Sequence, residues 1–172
     1  ANWFNDKLEI SFPEKKTIFG RKLSQLRYGE NPHQKGSVYI NDYKDAELNL
    51  KQLNGKQLSY NNYNDVFASL DILSSVKKIP TTVIIKHSNP CGVAINKSPL
   101  ISFKNAFSSD PISAFGGIIA CNYKISKKIA NEISKNFLEV ILGKGFDKEA
   151  LKILNKKKNL RVIDISKYNY KN

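Results

Sequence analysis

A chain of 172 residues, 41% hydrophobic and 25% charged, holds enough apolar material for one sizeable core, which excludes a disordered or low-complexity protein. No apolar run approaches a membrane span, no signal-peptide pattern opens the chain, and Cys91 and Cys121 are its only cysteines, so neither a membrane protein nor a secreted disulfide scaffold is expected. The net charge of +13 invites a nucleic-acid reading, but of 28 cations only Arg21, Arg27 and Arg161 are arginine, the residue that base and bidentate phosphate recognition favour. A reducing, cytoplasmic setting follows as the default, with neither nucleic acid nor membrane as partner. The one lysine cluster, Lys156-Lys157-Lys158, reads as a solvated helix end complementing the helix dipole. The positive balance would still attract anionic small molecules. Methionine is absent even at position 1, so the chain is expected to be processed or cut from something longer.

In chain order, residues 1–24 show no sustained period and read as a linker or the tail of a preceding domain. Gly36 to Ile40 resembles a short strand, and Asn54-Gly55 marks a turn. Val66, Leu70, Leu73 and Val76 fall on one helical face, with Asn64 or Asp65 as the expected N-cap. Thr81 to Ile85 is an apolar, β-branched run that reads as a buried strand, followed by a turn at Asn89-Pro90 and Gly92. A helix near Pro99 to Phe107 precedes a strand at Gly117 to Cys121, and Ser126 caps a helix through Lys135. Phe137 to Leu142 reads as a strand, Asp147 to Asn155 as a helix and Leu160 to Ile165 as a final strand. Strands alternating with short helices predict an α/β layered sheet, with right-handed crossovers between parallel neighbours.

Three segments are dense in chemistry. Ile84 to Gly92 ends a buried strand on Lys86 and His87, where open α/β sheets bind ligands. A cation and an imidazole there supply a charge stabiliser and a proton-transfer group. The alternative is a lysine reaching solvent and a histidine satisfied at a strand end. Leu26-Arg27-Tyr28-Gly29-Glu30-Asn31-Pro32-His33-Gln34 offers guanidinium and phenol donors matched to a phosphate, or else a turn whose side chains satisfy one another. Gly116-Gly117 precedes an apolar strand and permits close approach of the backbone to a ligand, or marks a bulge. Pro90-Cys91 fails as a zinc-deaminase signature, because His87 is followed two positions on by Asn89 and no cysteine lies three positions after Cys91.

Leu26 to Gln34, Ile85 to Gly92 and Asp110 to Gly117, with Gln52 to Asn62 between the first two, together resemble one family closely. That family is the bifunctional purine biosynthesis protein, in which AICAR (aminoimidazole carboxamide ribonucleotide) formyltransferase is joined to inosinate cyclohydrolase. The similarity is to its transformylase domain and runs from about Leu26 to Ile165. It implies a cytidine-deaminase-like layered α/β sheet with helices on both faces and no catalytic zinc. Residues 25–172 would be the first half of the transformylase domain, with the cyclohydrolase domain and the second half absent.

The resemblance implies formyl transfer from 10-formyltetrahydrofolate to AICAR, no metal, and a homodimer with sites built from both subunits. Residue by residue, Lys86 would be the charge stabiliser and His87 the proton-transfer group. Arg27 and Tyr28 would bind the nucleotide, with Arg27 near its phosphate. Gly116 would approach the nucleotide through its backbone, and Glu139 would supply a carboxylate lining its site. Two other readings stay open: a catalytically incomplete half that needs its complement, and a basic nucleic-acid-binding module.

Overall fold

The computed structural model describes residues 7–9, 14, 19–41, 48–76 and 78–168. Most of the stretch expected as linker or tail, including Trp3, Phe4 and Phe12, lies outside the described residues. The chain divides into two compact units, residues 1–25 with 37–48, and residues 26–36 with 49–172. In the first, β1 (Gly20–Gln25) pairs antiparallel with β2 (Ser37–Asn41), and the register shifts between Lys22 and Ser24. Strand β1 escaped the sequence reading because its side chains are almost all exposed, so no apolar alternation betrays it.

The second unit is a six-stranded mixed sheet with helices on both faces. Its strands are β3 (Lys51–Asn54), β4 (Thr81–Lys86), β5 (Asn89–Ile95), β6 (Ile118–Cys121), β7 (Val140–Gly143) and β8 (Arg161–Asp164). Its helices are α1 (Tyr60–Ser74), α2 (Pro99–Ser109), α3 (Lys127–Ser134) and α4 (Lys148–Leu154). The strand order is β3-β8-β7-β6-β4-β5. Strands β6, β7 and β8 run parallel, while β4 is antiparallel to both β5 and β6, and β3 to β8.

The continuous apolar runs of β4, β6 and β7 follow from burial on both faces. On one face Ile84, Ile119, Ile141 and Val162 pack with Phe103 and Ala106 of α2, Ile129 and Ile133 of α3, and Ala150 and Leu154 of α4. On the other, Val83, Ile85, Ile118, Val140 and Leu142 pack with Val66, Leu70 and Leu73 of α1. Alternate residues of one strand thus feed two separate cores. The helix predicted from Ser126 is capped as expected, Ser126 accepting from the Ile129 N–H.

Two local expectations need correction. Helix α1 begins at Tyr60 and its N-cap is Ser59, neither Asn64 nor Asp65. Ser59 accepts from the Asn62 N–H at 3.2 Å and Asn62 Oδ1 accepts from the Ser59 N–H at 3.2 Å, an amide serving the reciprocal role usual for Glu or Gln. Nor does the chain leave the sheet after His87. It doubles back at once as β5, with Lys86 paired to Asn89 across a His87-Ser88 turn and a bulge placing Cys91 opposite no partner. The turn expected at Asn89-Pro90 lies inside this strand, where proline is tolerated because β5 is an edge. Gly92 is required there, since a Cβ would collide with the Ala106 carbonyl of α2.

This hairpin also alters the geometry of the ligand end. Because β4 runs antiparallel to β6, Lys86 at its carboxyl end sits beside the amino ends of β6, β7 and β8. The rule of carboxyl strand ends therefore holds for β4 and β3 alone.

Candidate functional site

The residues at this sheet end are tied by a backbone ladder that continues past the strands. The Glu139 N–H donates to Gly117 O at 3.1 Å, and the Arg161 N–H donates to Glu139 O at 3.0 Å. One step earlier, the Gly116 N–H donates to Phe137 O at 2.9 Å, and Gly116 adopts φ +74°, a conformation costly for a residue with a Cβ. The Lys86 ammonium donates to Phe115 O at 2.8 Å, which fixes it against the same loop. Phe115 and Phe137 are both largely exposed, with ring centroids 5.0 Å apart.

Beside them opens a cleft of about 480 Å³, lined by Tyr28, Lys56, Ser59, Phe137 to Glu139 and Lys157 to Arg161. That volume suits a small-molecule ligand. Its charged wall is Lys56, Lys157, Lys158 and Arg161 against the single carboxylate of Glu139. Two lysines of the 156–158 cluster therefore face a cavity instead of merely solvating a helix end. A smaller recess of about 30 Å³ adjoins it, lined by Arg27, Tyr28, Gln57, Leu58, Ser59 and Arg161. The Arg27 guanidinium lies 5.7 Å from the Tyr28 ring centroid, within cation–π range.

The Leu26 to Gln34 loop satisfies itself at its far end. There Gln34 Oε1 accepts from the Asn31 N–H at 2.9 Å and Gln34 O accepts from the Gly29 N–H at 2.8 Å. Arg27 and Tyr28 instead face the recess and the cleft.

Electrostatics around Lys86 are mixed. Burial raises the Cys91 thiol above its ordinary value, and the Asp110 carboxylate adds to the shift while the Lys86 charge opposes it. Hydrogen bonds from Ser113 hold the Asp110 carboxyl below its ordinary value, the Ser113 N–H donating to Asp110 Oδ1 at 2.9 Å. Among the described residues, no group of three or more His, Cys, Asp or Glu side chains is placed to hold a metal ion. Nor is any helix among them long and apolar enough to cross a membrane.

A family model described as "AICARFT/IMPCHase bienzyme" matches residues 1–172. The chain belongs to this family. It is 44% identical over 163 residues to the bifunctional purine biosynthesis protein PurH of Thermoanaerobacter sp. (strain X514), covering 94% of this chain and 32% of that protein. The PurH protein of Oceanobacillus iheyensis is 40% identical over 167 residues, 96% of this chain and 32% of its own length. That of Leptospira biflexa serovar Patoc is 42% identical over 168 residues, 98% and 32%. The chain thus spans about a third of the length of these curated relatives.

In this member of the family the fold brings Arg27, Tyr28 and Glu139 around one cleft and its recess. Gly116 and Lys86 adjoin it through Phe137 and Phe115. His87 is not among the residues lining the cleft; it stands exposed in the β4–β5 turn. Sequence reasoning passed over Arg161 and Asn62. Arg161 Nη1 lies 3.8 Å from Glu139 Oε2, and Asn62 Nδ2 donates to the same oxygen at 2.9 Å. The rarity of arginine was the available signal for Arg161. Asn62 carried none beyond its polarity, although it is almost fully buried.

Proposed function

We propose that this chain carries the nucleotide side of an AICAR formyltransferase site, serving purine biosynthesis by passing the formyl group of 10-formyltetrahydrofolate to the 5-amino group of AICAR. The observation that carries this reading is the cationic cleft in which Tyr28 and Glu139, from segments far apart in sequence, meet beside a lysine fixed at a strand end. A nucleoside monophosphate needs cations for its phosphate and a few polar groups for its base and ribose, and the lining supplies both kinds. Arg27 and Tyr28 take the phosphate side, Glu139 accepts hydrogen bonds from the nucleotide, and Gly116 lets the backbone come close.

The amine of AICAR is conjugated into its ring and is a weak nucleophile. It loses a proton to His87 as its nitrogen bonds to the formyl carbon. Negative charge then develops on the formyl oxygen, and the Lys86 ammonium stabilises it. An ammonium has three donors, so the bond to Phe115 O leaves capacity for that oxygen. The formyl carbon–nitrogen bond of the folate breaks, its nitrogen takes a proton assisted by Lys86, and formyl-AICAR and tetrahydrofolate leave.

In the same reading the sheet is a cytidine-deaminase-like layer without zinc, residues 25–172 form the first half of a transformylase domain, and residues 1–24 lead into it. The working protein is a cytoplasmic homodimer. A second reading is a half-site that turns over only with its complement.

Calorimetric titration with AICAR, beside a short DNA duplex, tests the assignment. Saturable AICAR binding that weakens in Arg27→Ala supports it. Salt-sensitive DNA binding without AICAR binding overturns it in favour of a nucleic-acid module. In the whole protein, His87→Ala should lower turnover by roughly 10²-fold or more while leaving AICAR affinity near that of the parent. Unchanged turnover would remove His87 from the proton-transfer role.

A further inference from the structure

We infer that Asp65 of α1 is a positioning residue for the transfer, clamping the His87-Ser88 turn in the conformation that presents the His87 imidazole. The inference rests on the function proposed above.

The turn needs such a clamp. It joins β4 to β5 with two residues, and both are left-handed, His87 at φ 53° and Ser88 at φ 59°. Two-residue turns of this kind favour Asn-Gly, because residues carrying a Cβ resist positive φ. Here both positions carry side chains, and both are exposed, so no packing holds them. Strained non-glycine backbone persists where surrounding structure over-determines it, and it gathers at functional sites.

The restraint visible at this turn comes from Asp65. Its Oδ1 accepts from the Ser88 N–H at 2.6 Å, a short bond to a carboxyl oxygen, and lies 3.5 Å from the Ser88 hydroxyl. Asn89 adds a weaker local tie, its Nδ2 donating to His87 O at 2.8 Å. Asp65 is well founded for this purpose. It is half-buried, and its neighbour Val66 and the next turns, through Leu70 and Leu73, lie in the core. The helix does not need the carboxylate for its own start, since Ser59 and Asn62 complete the cap. Asn62, three residues earlier on the same face, reaches Glu139. One face of α1 therefore sets both the nucleotide-side carboxylate and the turn that bears His87.

A clamp and a direct catalytic role for Asp65 differ in what rescues them. In the whole protein, Asp65→Ala should lower kcat by roughly 10- to 100-fold, with the KM for AICAR changed by less than about 3-fold. Adding Ser88→Gly, which tolerates positive φ without help, should recover most of that loss, and Ser88→Gly alone should stay near the parent. Amide exchange at Ser88 should accelerate in Asp65→Ala. Unchanged kcat, or a loss that Ser88→Gly does not recover, overturns the inference. Should Asp65→Ala not fold, Asp65→Asn weakens the bond by removing its charge. A smaller fall, recovered by Ser88→Gly, is then expected, and no fall or an unrecovered one overturns the clamp. A parent protein with no formyl transfer at all overturns the proposed function instead. Ser88 exchange then reads the clamp by itself, and equal exchange in parent and variant overturns it.

Discussion

Asn62 and Glu139, 77 positions apart, are joined by a 2.9 Å hydrogen bond from the Asn62 amide to the Glu139 carboxylate. The other end of the same amide accepts from the Ser59 N–H, so one buried side chain closes a helix cap and orients a cleft carboxylate. Neither half of that amide is idle, which is what a buried polar group requires.

Separating the two roles gives a prediction. Asn62→Asp keeps the acceptor for Ser59 but sets a second carboxylate against Glu139. Like charges then repel, so AICAR affinity should fall by roughly tenfold. Stability should fall by about 1–3 kcal/mol although the cap acceptor survives, because a second carboxylate is buried beside Glu139. Asn62→Ala should lose about 1–3 kcal/mol of stability as well, because it also leaves the cap donor unpaired. Equal AICAR affinity in Asn62→Asp, measured by calorimetry, would show that the bond to Glu139 does not serve binding.

The contact of α2 with β5 is the second point of test. A methyl group at Gly92 would meet the Ala106 carbonyl, so Gly92→Ala must push the helix off the strand. Such overpacking costs about 1–3 kcal/mol or more, with no flexible side chain to yield. Urea denaturation should show the midpoint falling. A midpoint unchanged within error would mean that α2 is less tightly seated than the geometry shows.

A buried hydroxyl cluster pins the same helix. Tyr123 Oη lies 2.6 Å from Thr82 Oγ1 and donates to Pro99 O at 3.1 Å, while Ser102 Oγ lies 3.0 Å from Thr82 Oγ1 and donates to Ala94 O at 2.8 Å. Tyr123→Phe removes one member and should cost about 1–3 kcal/mol in the same denaturation series. Burial raises the Tyr123 phenol pKa, so no ionisation there is expected in the folded protein at neutral pH.

The cysteines predict a pH effect. Burial pushes the Cys121 thiol from 9.0 up to about 12, with Tyr123 and Thr82 partly opposing it. A group whose folded pKa is raised stabilises fully below its unfolded value, and the contribution is lost as pH climbs from about 9 towards 12. Thermal midpoints should therefore fall through that window, and fall less in Cys121→Ala relative to its own neutral-pH midpoint. At pH near 8, alkylation followed by mass spectrometry should find half-buried Cys91 modified slowly and Cys121 protected until unfolding. Rapid alkylation of native Cys121 would contradict its place in the core.

The sequence by itself determined that the apolar runs of β4, β6 and β7 become buried strands. Val83 to Ile85, Ile118 to Ala120 and Val140 to Leu142 are apolar without interruption, and such runs are stable only when both faces are covered. Ser126 announced its helix, and Lys86, His87, Arg27, Tyr28 and Gly116 stood out as polar or glycine residues at the ends of apolar runs and in turns. These signals are local, arising within a turn or a strand.

Only the tertiary structure decided the rest. It turned β5 back against β4 at His87-Ser88, where no glycine marks the turn and where Asp65 from a different element accepts from the Ser88 N–H. It placed β4 antiparallel to β6 and so gathered carboxyl and amino strand ends at one site. It also set Arg161 and Asn62 on Glu139 and turned Lys157 and Lys158 towards the cleft. Periodicity reports which face of an element is apolar, not which distant element it meets, and strand order and direction are settled by packing across the whole sheet.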